Sequence, residues 1–144
     1  MSKNFKGILG KTAIYLIILM YTYAVFIIFK DFTGFKVKLF KSALIENNWI
    51  PYLSILIPSI MILLAALLML EIKLRQTLWS SLFVLCAFTI YLFAINEYSL
   101  FTGCSCGGVF EQLSYSQHLV LNVIFIGINV FALLYFSRKK VQET

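Results

Sequence analysis

Four runs along the chain contain no Asp, Glu, Lys or Arg: Thr12 to Phe29, Ile50 to Leu70, Thr77 to Asn96 and Leu119 to Ser137. Each approaches the ~20 residues an α-helix needs to cross a hydrocarbon core about 30 Å thick. Too few polar residues remain to cover four such helices in water, which disfavours a soluble core. The pattern predicts an all-α membrane protein, a four-transmembrane-helix bundle. Its helices are expected over 12–29, 50–70, 77–96 and 118–137, forming a single integral membrane domain over 1–144.

The connections add detail. At 100° per residue, Val37, Leu39, Phe40, Ala43 and Leu44 gather on one arc, and Lys38, Lys41 and Ser42 on the other. Lys36 falls inside the apolar arc. This segment is expected to be an amphipathic helix lying in the membrane interface between helices one and two. Pro51 fits the first turn of helix two, where a missing N–H costs nothing. Pro58, about two turns further on, is expected to kink that helix and open space near the outer face. Glu71 to Gln76 reads as a short charged turn that makes helices two and three an antiparallel hairpin. Ser114-Tyr115-Ser116-Gln117 has the spacing of a capping box and marks the start of helix four. His118, Asn122 and Asn129 then share one face of that helix. Polar groups at such positions turn toward the bundle interior.

Composition agrees: 61% of the residues are hydrophobic, where a soluble domain has roughly half. The formal charge of +6 points to membrane topology rather than to nucleic acid. Lys3, Lys6, Lys11, Lys73, Arg75, Arg138, Lys139 and Lys140 fall on one side of an even-numbered bundle. Lys30, Lys36, Lys38 and Lys41 fall on the other. The positive-inside rule puts both termini in the cytoplasm and the 97–117 connection outside. The bulky Tyr21, Tyr23, Phe26 and Phe29 leave no small-residue cleavage site, so the first run is helix one rather than a signal peptide.

Chemistry concentrates in Gly103-Cys104-Ser105-Cys106-Gly107-Gly108. With one histidine in the chain there is no multi-histidine metal centre, and no phosphate-binding loop or nucleophile elbow is present. Cys104 and Cys106 can close a small disulfide if a tight turn brings their Cα atoms to about 5.5–6 Å. The flanking glycines permit such a turn. A ring so small removes little chain entropy, so it is a poor staple. Strained, exposed disulfides are the labile, oxidising ones. The N-terminus of helix four and the glycine N–H groups can stabilise a thiolate, and His118 can accept or return a proton. Glu97 and Glu111 oppose ionisation. A redox pair is preferred on this chemistry. A structural disulfide, pairing with another protein and Cu(I) binding stay open behind it, and no metal is assigned. Cys86, alone in an apolar run, reads as a small buried hydrophobe. No sequence feature identifies a quinone pocket, so a quinone is a possible cofactor without an assigned site.

Cys104-Ser105-Cys106-Gly107-Gly108, followed by Gln117-His118-Leu119 and Asn122, resembles the MauE/DoxX-like redox-associated membrane proteins. Asp31-Phe32-Thr33-Gly34-Phe35, Pro58 and the four-helix plan fit the same family. The resemblance implies a small protein of the bacterial inner membrane with a thiol/disulfide function. It implies Cys104 and Cys106 as the reacting pair and a periplasmic thioredoxin-like partner or cysteine-containing client. Gly107, Gly108 and Asn122 are expected at the partner-binding surface. Relatives often carry a lysine late in helix one and a glutamate after the helix-two proline, where this chain has Ile28 and Met61. Losing both charges together is coherent, because one alone would be uncompensated. The alternative function is a non-enzymatic membrane scaffold or accessory subunit with a structural disulfide.

Overall fold

The computed structural model describes residues 3–41, 45–98 and 115–142. They form α1 (Lys3–Lys30), α2 (Phe32–Lys41), α3 (Ile50–Met69), α4 (Leu74–Tyr98) and α5 (Tyr115–Gln142), with a 3-10 turn at Asn47–Trp49. No strand occurs among them. Four stretches are long and apolar enough to cross a membrane: Gly7–Lys30, Asn47–Met69, Leu74–Ala94 and Ser116–Arg138. The helices run past the charge-free runs that foretold them. α1 begins at Lys3, well before Thr12, and α5 continues to Gln142, beyond Ser137. An apolar run marks the length in contact with lipid, whereas backbone hydrogen bonding continues into water.

α1 packs on α3 and α5, and α4 packs on α3 and α5, so the four spans close a ring. Their directions alternate. Gly10, early in α1, meets Tyr135, late in α5. Lys11 and Ile14 of α1 share a small crevice with Leu68 and Glu71 at the end of α3. Both described chain ends and the 70–73 turn therefore lie at one end of the bundle. α2 lies against α3 and α1 at the other.

Ile14, Ile17, Tyr21, Ala24 and Ile28 of α1 are buried in one helical stripe, facing Leu64 and Leu68 of α3, Leu78 of α4 and Ala132 of α5. Phe26, Leu63, Phe83 and Ile90 face outward. In a bilayer these need no protein partner, since the lipid tails are as apolar as they are. Exposed hydroxyls are handled locally: Thr12, Thr22 and Ser59 donate to the carbonyls of Ile8, Ile18 and Ile55, four residues back (2.9, 2.8 and 2.7 Å). Each polar group is thus satisfied without leaving its helix.

The step from α1 to α2 turns on Asp31. Its carboxylate accepts a hydrogen bond from the Gly34 N–H (2.9 Å), and its carbonyl accepts from Phe35 N–H (3.0 Å). Asp31 thereby caps α2. A Cβ on Gly34 would overlap the Asp31 carboxylate, so the glycine at this position makes room for the cap. Asp31→Ala is expected to cost about 1 kcal/mol locally. Hydrogen exchange should show faster exchange in α2, with protection of the spanning helices unchanged.

α2 buries Phe35 and Leu39, four residues apart, against the bundle. Val37 and Phe40, both expected on its apolar face, are exposed. The cap sets where the helix begins and hence which residues turn inward. Ala43 and Leu44 lie outside the described residues. The 3-10 turn leads into α3 with Pro51 in the first turn.

α3 ends in a Schellman motif: Ile72 N–H donates to Leu67 C=O and Glu71 N–H to Leu68 C=O, both 3.2 Å. Glu71 takes the left-handed position, φ 54°, that usually selects glycine. Glu71→Gly is expected to raise the unfolding free energy by up to about 1 kcal/mol, read as a higher midpoint in detergent-solubilised protein.

Candidate functional site

The end of the bundle that carries α2 contains a cavity of about 300 Å³. Its wall takes Ala24 and Ile28 from α1, Phe35 and Leu39 from α2, Ile57 and Met61 from α3, Phe88 and Tyr91 from α4, and His118 and Asn122 from α5. Every helix contributes, and no charged side chain is among the described residues lining it. Ile28 and Met61, where the resemblance pointed to a lysine and a glutamate elsewhere, are both buried in this wall. The two apolar side chains thus face one site rather than two.

Pro58 is buried within α3, between the lining residues Ile57 and Ile60. Having no N–H, it cannot bond the Ser54 carbonyl, which loosens the helix ladder beside the cavity. The space expected near this proline is present.

The polar face of α5 points inward. His118 is 7% exposed, Asn122 8% and Asn129 0%. α5 begins at Tyr115, directly after Ser114, the expected N-cap, which lies outside the described residues. His118 therefore sits in the first turn of α5 and Asn122 one turn deeper, both on the cavity. The amide nitrogen of Asn122 is buried and has no hydrogen-bond partner among the described residues.

Asn129 belongs to a different constellation. Its amide donates to Ser81 Oγ (2.7 Å), and Ser81 Oγ shares a hydrogen bond with the Tyr21 hydroxyl (2.9 Å). The same hydroxyl reaches the Ser81 carbonyl at 3.3 Å. All three side chains are almost or wholly enclosed, so α1, α4 and α5 are joined by a buried polar seam. Tyr21 and Ser81 carried no mark in the sequence reading. The signal available was a tyrosine and a serine within otherwise apolar spans.

Cys104, Cys106, Gly107, Gly108 and Glu111 lie outside the described residues. The connection that holds them leaves α4 at Tyr98 and enters α5 at Tyr115, at the cavity end of the bundle. Glu97 is exposed near that exit. Cys86 is a free, half-buried thiol outside the cavity wall. No cluster of His, Cys, Asp and Glu suited to a metal ion occurs among the described residues.

Four apolar spans closed around a buried polar seam define a multi-pass helical membrane protein. Residues 6–135 match the family described as methylamine utilisation protein MauE, and the chain belongs to that family. No curated protein and no solved structure matches the chain.

Proposed function

We propose that the chain is a thiol–disulfide redox protein of the bacterial inner membrane, with Cys104 and Cys106 exchanging electrons with a periplasmic thioredoxin-like partner or cysteine-containing client. The observation that carries this reading is the glycine-flanked Cys104-Ser105-Cys106 in the α4–α5 connection of a MauE-family chain. The whole chain acts as one membrane-embedded domain.

One sulfur attacks a partner disulfide as the thiolate and forms a mixed disulfide. The second sulfur displaces the partner and closes the Cys104–Cys106 bond. Two electrons and two protons pass from the pair to the partner, which leaves as a dithiol. The reverse sequence reduces the pair. His118, in the first turn of α5, takes up or returns a proton. Gly107 and Gly108 let the partner backbone approach, and Asn122 is assigned to partner binding with them.

Orientation follows from charge. The bundle end with both termini and the 70–73 turn carries eight of the basic residues and faces the cytoplasm. The cavity end and the cysteine connection face the periplasm. α2 lies in the interface there, with Val37 and Phe40 toward lipid. The family description names methylamine utilisation, and we assign the client to that process.

Trapping tests the reading. In membranes, Cys104→Ser or Cys106→Ser is expected to hold a mixed disulfide with a soluble protein, seen as a band lost on reduction. If neither variant captures a partner and both keep activity, the exchange reading is wrong. The reduction potential separates this reading from a scaffold with a structural disulfide. A value well below about −300 mV would favour the scaffold.

A further inference from the structure

The cavity poses a question that the cysteines do not answer. It is apolar on nearly every side, yet His118 and Asn122 both line it from successive turns of α5. The Asn122 amide nitrogen is buried with no partner among the described residues. An unmade hydrogen bond in such surroundings is costly, and a bound acceptor would remove that cost. A half-turn of the carboxamide exchanges its nitrogen and oxygen, so a ligand can meet either atom.

We propose that this cavity binds a neutral, lipid-soluble ring compound of the quinone type, its carbonyl oxygens at Asn122 and His118 and its apolar body along α3 and α4. Four features select that chemistry. The volume of about 300 Å³ lies at the lower end of the usual range for small-molecule sites. The absence of charge among the lining residues argues against a phosphate headgroup. Two polar groups one helical turn apart suit a head with two oxygens on one ring. Phe83 belongs to the wall and is also 75% exposed on the lipid-facing surface, so the cavity borders the bilayer from which such a ligand would enter. The assignment does not require the cysteine reading, although His118 and Asn122 figure in both, because no cysteine is among the described residues that line the cavity.

The chain has a single histidine, which provides a reporter in the site. The full-length protein, with labelled histidine and in detergent micelles, is titrated with decyl-1,4-benzoquinone, decylbenzene or monodecanoylglycerol. The quinone is expected to shift the His118 ring resonances saturably, binding about tenfold tighter than decylbenzene, the equivalent of one hydrogen bond. Asn122→Leu is expected to remove that preference while both probes still bind. If this variant does not fold, the comparison of probes on the unmodified chain decides alone. Equal affinity for the quinone and the hydrocarbon, no saturable shift, or tighter binding of the glyceride would each overturn the assignment.

Discussion

Gly10→Ala is expected to lower the unfolding free energy of the purified protein by about 2 kcal/mol, measured by denaturation in mixed micelles. A Cβ built on Gly10 would stand 2.6 Å from Cδ1 and 2.8 Å from Cε1 of Tyr135, and 3.3 Å from its Cγ. The obstruction reaches the root of the ring, so rotating the tip does not relieve it. Tyr135 is also held edge-on by Phe136, with ring centroids 5.1 Å apart. The α1–α5 contact must therefore open. Gly7 supplies the control, because its added Cβ would meet only the Tyr135 hydroxyl at an ordinary 3.6 Å. Gly7→Ala is expected to be neutral or slightly stabilising, since alanine is the better helix former. If both alanines behaved alike, propensity rather than close approach would govern this end of the bundle. Tyr135→Leu in the Gly10→Ala background should recover part of the loss.

Ser81→Ala is expected to cost about 1–2 kcal/mol. Ser81 Oγ receives the Asn129 amide and pairs with the Tyr21 hydroxyl. Removing it does not strand both partners equally. Tyr21 keeps the Ser81 carbonyl at 3.3 Å, whereas Asn129, wholly enclosed, loses its one hydrogen bond among the described residues. The cost therefore falls mainly on Asn129. Ser81→Ala combined with Asn129→Leu should be less destabilised than the sum of the single variants, with a coupling of about 1 kcal/mol. Additive effects would mean that the seam does not act as a unit. An enclosed amide left unpaired is costly, and the seam specifies how α1, α4 and α5 face one another.

Much of the site's framework was legible in the chain. The spacing of His118, Asn122 and Asn129 predicted one inward face of α5, and all three are buried. Pro58 marked an irregular point in α3, and its neighbours Ile57, Ile60 and Met61 line the cavity. The capping pattern at Ser114 to Gln117 placed the start of α5, which seats His118 in the first turn. Ile28 and Met61 were read together on two helices, and only packing showed that they line one cavity. Likewise, nothing local in Tyr21 or Ser81 announced a bond across 60 positions of sequence. In α2 the sequence marked a broad apolar arc, and only packing showed that Phe35 and Leu39 are the residues buried against the bundle.

By itself, the sequence determined the number of spans, their order and alternation, and where charge and cysteines fall relative to them. These follow from backbone hydrogen bonding and hydration, which act on each segment separately. The tertiary structure alone decided which faces of α1, α3 and α4 turn inward, and hence the cavity, the Gly10–Tyr135 contact and the polar seam. The reason is the solvent. Lipid-facing and bundle-facing residues are equally apolar, so hydropathy leaves the rotation of a spanning helix open. Close packing and a few buried polar groups settle it.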